Sequence, residues 1–154
     1  MGLFSFIKNA GAKVFGIGKT TEEEAVEVAA EKSAKLFSAV NSWGLEVVDL
    51  NIEVNDDAVA VWGEADSQST REKVILVLGN TTGIASVDDR MTVKIEEPEA
   101  QFHTVVKGDY LSKIAKKYYG NAMKYPVIFE ANKPMLEHPD KIYPGQVLRI
   151  PPLD

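Results

Sequence analysis

Apolar positions change their spacing several times along this chain, and each change marks an element. Leu3, Ile7, Ala10 and Val14 recur at helical intervals with Phe6 beside them, which predicts a short amphipathic leader helix ending near Gly11. Thr21-Glu22-Glu23-Glu24 opens a longer helix: Thr21 and Glu24 have capping-box spacing, and acidic residues suit the positive end of the helix dipole. Val26, Ala29, Ala30, Leu36, Phe37 and Val40 line one face, and Gly44 follows Trp43 as the stop. The period then drops to two. Val48, Leu50, Ile52 and Val54 alternate as a half-buried strand, Asn55-Asp56-Asp57 turns the chain, and Val59 and Val61 continue a paired strand ending at Gly63. A further helix begins at the capping-box pair Ser69 and Glu72, carries Val74, Ile75 and Leu78 inward and ends at Gly79. From Val87 the alternation resumes through Met91, Val93 and Ile95.

Glu96-Glu97-Pro98-Glu99-Ala100 is an acidic, proline-containing break of linker character. Residues 102–106 beyond it read as a strand. Leu111, Ile114, Ala115 and Tyr118 make a helix closed by Gly120, and Tyr125, Ile128 and Phe129 make another closing near Asn132. Pro134 and Pro139 mark a loop before a last strand of Val147, Leu148 and Ile150. The expected fold class is α+β in two small domains: an N-terminal α/β sandwich of order αββαβ, preceded by the leader helix, and a C-terminal βααβ domain. The expected boundaries are 1–20 for the leader helix and linker packing on the first domain, 21–95 for that domain, 96–101 for the acidic linker and 102–154 for the second domain.

Composition removes several functions. A net charge of −6 argues against a nucleic-acid face, which needs clustered Lys and Arg. With no cysteine and only His103 and His138, thiolate chemistry and the usual zinc sites are excluded. No run is long enough to span a bilayer. The first residues lack a basic n-region and their apolar run is short, so no secretory signal is read and a cytoplasmic protein starting at Met1, monomeric, is expected. Phe6 stands where myristoylation needs Ser or Thr. Gly16-Ile17-Gly18-Lys19-Thr20 resembles the end of a P-loop, but Lys13 stands at its first glycine and no buried strand precedes it. Asn55-Asp56-Asp57 lacks the spaced acids of a calcium loop. Asp109, His103 and Ser112 have the residue types of a triad, yet strand, cap and helix positions account for all three. Asp88 and Asp89 point to opposite faces of a strand. No catalytic residue is assigned, and the chain is expected not to be an enzyme.

The stretch 74–89, V-I-L-V-L-G-N-T-T-G-I-A-S-V-D-D, holds the candidate chemistry. Gly79 occupies the position of a helix C′ glycine, where terminal C=O groups lack intrahelical partners and carry the negative end of the dipole. The small residues Asn80, Thr81, Thr82 and Gly83 do not cover those oxygens. Two readings stay open: an ordinary helix-to-strand turn, or a cation site built from peptide oxygens. In the second, the leader helix docks its C-terminal end on the loop, and the backbone carbonyls of Ile7, Ala10, Gly79, Thr81 and Ile84 surround a large monovalent cation.

Resemblances bear on that choice. H-T-V-V-K-G-D-Y-L-S-K-I-A, F-E-A-N-K-P and I-Y-P-G-Q-V-L-R-I-P, within 103–151, resemble a LysM domain. That implies a βααβ fold and binding of N-acetylglucosamine-containing glycan, as in peptidoglycan, in a groove involving Gly108, Asp109, Tyr110, Lys133 and Pro134; Tyr110 replaces the family's usual threonine. V-D-L-N-I-E-V, V-A-V-W-G and G-I-A-S-V-D-D-R-M-T-V, within 21–94, resemble a BON domain, a module associated with membranes or protein partners, which implies peripheral membrane association as an alternative. The two in this order, behind M-G-L-F-x-F-x-K-x-A-G, resemble the BON-plus-LysM cytoplasmic potassium-binding proteins of bacteria. That resemblance implies selective potassium binding, a conformational change on binding, and a sensor or buffer role.

Overall fold

A computed structural model describes residues 2–6, 22–81, 83–133 and 135–153, with the backbone alone for 22–30. The first domain is a two-layer sandwich. Its sheet contains β1 (Gly2–Ser5), β2 (Val47–Asn55), β3 (Ala58–Ser67) and β4 (Ser86–Ile95) in the order β1-β4-β3-β2. The β2–β3 and β1–β4 pairs are antiparallel and the β3–β4 pair is parallel. Helices α1 (Glu22–Ser42) and α2 (Gln68–Gly79) supply Leu36, Val40, Val74, Ile75 and Leu78 to one core with Ile52, Val54, Val59, Val61, Val87 and Met91. Each fully buried aliphatic side chain of this kind contributes about 1.5–3 kcal/mol of transfer free energy.

The leader departs from its expected helix. Gly2–Ser5 is a strand, with Leu3 opposite Asp88 and Phe4 opposite Val87. The governing period is two: Phe4 and Phe6 turn toward the core while Leu3 is 72% exposed. The edge of β4 would otherwise carry unpaired N–H and C=O groups, and pairing with it outweighs a short helix of marginal intrinsic stability. Ile7, Ala10, Gly11, Val14 and the Thr21 cap lie outside the described residues.

Three local expectations also shift. Val48 is exposed rather than inward, because β2 slips register between Val48 and Asn51, with Asp49 at φ 56°. The slip reverses the facing of the residues before it and brings Val47 to the core. Gly63, opposite, has φ 140°, and a Cβ there would lie 2.6 Å from Val47 Cγ1. Phe37 is 41% exposed, off the buried stripe of Leu36 and Val40. Helix α2 is capped by Ser67, whose hydroxyl accepts from Thr70 N–H, not by Ser69; Glu72 is thereby released for another task.

The second domain pairs β5 (Gln101–Thr104) antiparallel with β6 (Val147–Ile150). Helices α3 (Leu111–Tyr119) and α4 (Tyr125–Ala131) cover this ribbon through Leu111, Ile114, Ala115 and Ile128. Gly120 closes α3 in the left-handed conformation, at φ 72°. A two-stranded ribbon is not stable alone, and the helices supply its hydrophobic face.

Candidate functional site

Helix α2 runs through Gly79 in right-handed geometry, so Gly79 is not a left-handed C′ residue; the positive φ, 99°, falls on Gly83. Gly79 is required for another reason. The Phe6 ring lies against its Cα, and a Cβ there would come 2.0 Å from Phe6 Cζ. Phe6 is also held by its own N–H, which donates to the Ala85 carbonyl at 2.8 Å. Phe6 is thus seated beside the loop after α2.

That loop is dry. Asn80, Thr81 and Ile84 are 6%, 1% and 0% exposed. Asn80 N–H donates to the Leu76 carbonyl at 2.8 Å, and the Thr81 hydroxyl donates to Val77 O at 2.9 Å, closing the last turn of the helix. Ile84 N–H donates to the Thr81 carbonyl at 3.1 Å, leaving that oxygen a second lone pair. Among the described residues, no backbone N–H donates to the carbonyls of Gly79 or Ile84. The fold therefore gathers Gly79, Thr81 and Ile84 in one buried turn beside Phe6, whereas Ile7, Ala10 and Thr82 lie outside the described residues. Among the described residues, no three acidic or histidine side chains cluster as a metal site.

The same helix end faces the second domain. The Asn80 amide makes a reciprocal pair with Val147 of β6: Nδ2 donates to Val147 O and Val147 N–H donates to Oδ1, both at 2.8 Å. Two turns earlier, Glu72 is 3% exposed and receives Arg149 through Oε1, at 2.8 Å from Nη2 and 3.1 Å from Nε. Its Oε2 accepts from Ala100 N–H in the linker at 2.8 Å and from Gln68 Nε2 at 3.2 Å. Burial, and then the Arg149 charge, push the neighbouring Lys73 ammonium below its ordinary pKa. Phe4 and Phe102 bring their ring centroids to 5.1 Å across the same junction. None of these roles is visible in residue spacing. The available signal was Arg149 itself, a cation inside the apolar run V-L-R-I.

In the second domain Tyr110 caps α3 without a side-chain bond and is exposed. It lines a cavity of about 400 Å³ with Leu111, Ser112, Tyr125, His138, Pro139 and Asp140. Gly108, at φ 92°, and Asp109 are not in that lining. Lys133 pairs with Glu130 at 2.8 Å and lies over the Phe129 ring, while Pro134 is outside the described residues. His103 spends both ring nitrogens: Nε2 meets Asp109 Oδ2 and Nδ1 meets the Tyr118 hydroxyl, each at 2.9 Å. Neither nitrogen is left to activate Ser112. Burial works to raise the Asp109 carboxyl, but hydrogen bonds from His103 and Val106 N–H, with nearby positive charge, hold it below its ordinary value. A depressed carboxyl stabilises the fold above its unfolded-state value of about 4, and that contribution is lost as pH falls through the lower folded-state value. Asp109→Asn is expected to flatten the loss of stability between pH 5 and 3, by up to about one proton's worth of slope; thermal melts at stepped pH check this, and an unchanged slope counts against it.

The fold defines the class: a sandwich domain and a βααβ domain, joined along helix α2 through Glu72 and Asn80. Residues 29–95 match the BON domain model and residues 103–151 the LysM domain model. Potassium binding protein Kbp of Escherichia coli O6:H1 (strain CFT073) is 45% identical over 152 residues, covering 98% of this chain and 99% of that protein. The chain belongs to the same BON-plus-LysM family. An uncharacterized protein of Deinococcus radiodurans is 48% identical over 58 residues, 38% of this chain and 22% of its own length. No helix among the described residues is long and apolar enough to cross a membrane.

Proposed function

We propose that this chain binds potassium in the cytoplasm through peptide carbonyls, and acts as a potassium sensor or buffer rather than as an enzyme. The observation that carries the reading is the turn that holds the buried residues Gly79, Thr81 and Ile84, where the Gly79 and Ile84 carbonyls accept from no described backbone N–H. The name of the full-length relative from Escherichia coli supports the identity of the ion. A large monovalent cation gives up its hydration shell more readily than magnesium or calcium and is matched by converging neutral carbonyl dipoles. In this reading Gly79, Thr81 and Ile84 supply part of the cage, and the carbonyls of Ile7 and Ala10 complete it. Phe6, seated on Gly79, delivers the leader to the loop.

The response follows from linkage: an ion that joins leader to loop favours whichever arrangement presents both halves of the cage. We take 21–95 and 102–154 as the units that rearrange, with 96–101 as the linker and 1–20 packing on the first unit. The test is calorimetric titration of the full chain with KCl, NaCl, MgCl2 and CaCl2 at matched ionic strength. Saturable heat is expected with KCl, with sodium and the divalent ions at least about tenfold weaker. Equal response to potassium and calcium would sink the carbonyl-cage reading.

A further inference from the structure

We propose that Asn80 is the positioning residue through which the ion loop holds the LysM domain, so that ion occupancy is read out at strand β6. The inference rests on the potassium reading and goes beyond it by naming the link. Its basis is the place of Asn80 in the chain. The residue stands between Gly79 and Thr81, two of the expected carbonyl ligands, and its backbone is at φ −80°, ψ 21°. The Gly79 carbonyl belongs to the peptide plane entering Asn80. Thr81 fixes the next residue. Holding the Gly79 oxygen on an ion fixes the plane entering Asn80, and holding the Thr81 oxygen fixes the plane one residue beyond the one leaving it, so Asn80 is restrained between two anchored points and with it the direction of its side chain.

That side chain reaches across the domain boundary. Its amide pairs with both the N–H and the C=O of Val147, as a neighbouring strand would. Strand β6 has β5 on one side only. Its other edge is closed by two asparagines in the same way: Asn80 from the first domain grips Val147, and Asn132 from within the LysM domain grips Arg149, with Nδ2 to Arg149 O at 3.0 Å and Arg149 N–H to Oδ1 at 2.8 Å. Val147 is 3% exposed and Asn80 6%, so if the loop withdraws Asn80, two buried backbone groups lose their partners together. The docked arrangement is therefore favoured by whatever keeps Asn80 aimed. By reciprocity, docking must also favour the ion.

The two asparagines give an internal control. Amide hydrogen exchange is measured by NMR on the full chain, in saturating KCl and in an equal concentration of choline chloride. Protection of Val147 N–H is expected to rise at least tenfold with potassium, while that of Arg149 N–H, held within its own domain, changes less than twofold. Asn80→Ala is expected to bind potassium about three- to tenfold more weakly by calorimetry and to lose the potassium dependence of its small-angle scattering. Asn80→Asp, which keeps the acceptor for Val147 N–H, is expected to fall between. If the wild type binds potassium but both N–H groups respond alike, or Asn80→Ala keeps the full scattering response, the inference is wrong and the potassium reading stands. If the wild type shows no potassium heat, both fall together. The exchange comparison needs no variant, so it decides the matter even where Asn80→Ala fails to fold.

Discussion

Gly79→Ala is expected to destabilise the protein by about 1–3 kcal/mol, the range for forcing extra volume into a packed site, and to weaken potassium binding at least about tenfold. A helical glycine replaced by alanine ordinarily gains roughly 1 kcal/mol, and Gly79 has ordinary helical geometry. The sign is reversed here because the new Cβ would lie 2.0–2.2 Å from three atoms of the Phe6 ring. The ring must leave, and with it goes the seat that brings the leader to the loop. The decisive comparison is a double-mutant cycle with Phe6→Ala. In the Phe6→Ala background the obstruction is gone, so Gly79→Ala should become neutral or stabilising by up to about 1 kcal/mol. Urea melts of the four proteins check it. A destabilisation of the same size in both backgrounds would mean that the ring is not the cause.

Arg149→Met is expected to cost about 3–5 kcal/mol, the range for removing one partner of a buried ion pair. Glu72 would be left 3% exposed with its charge unpaired, and the linker bond from Ala100 N–H would not compensate it. The single unfolding transition expected of the wild type should split, because Glu72 ties α2, the linker and β6 to one carboxylate. Combining Arg149→Met with Glu72→Gln removes both charges and keeps an acceptor for Ala100 N–H. Most of the lost stability should return, since a neutral replacement avoids desolvating either ion. Calorimetric melts of the two singles and the double measure this. A double variant no more stable than Arg149→Met would show that packing of the arginine stem, not charge, sets the cost.

Both predictions concern residues whose partners are far away in the chain, and that is where spacing stopped being informative. The alternation of Ile52 and Val54 with Val59 and Val61, and the helical stripe of Leu111, Ile114 and Ala115, were legible because burial of one face imposes a local period. At the leader two periods competed: Leu3, Ile7, Ala10 and Val14 fit a helix, while Phe4 and Phe6 fit a strand. The free edge of β4 decided between them, and no local pattern carries that information. Ser69 and Glu72 had the form of a capping box, but Ser67 reached Thr70 first and Glu72 was taken by Arg149. The loop at 79–84 could be singled out by its residues; that Asn80, Thr81 and Ile84 are buried, and that Asn80 faces another domain, could not.

The amino-acid sequence by itself determined the α+β character and singled out the small-residue loop after the second helix, because side-chain periodicity and turn-forming residues act over a few residues; the BON and LysM segments were legible through their resemblance to those families. Tertiary structure alone decided that the first residues form a strand, that Gly79 is glycine to admit Phe6, and that Asn80 and Glu72 grip β6. Those outcomes depend on hydrogen-bonding groups left open by one element being filled by another, distant in sequence and adjacent only after folding.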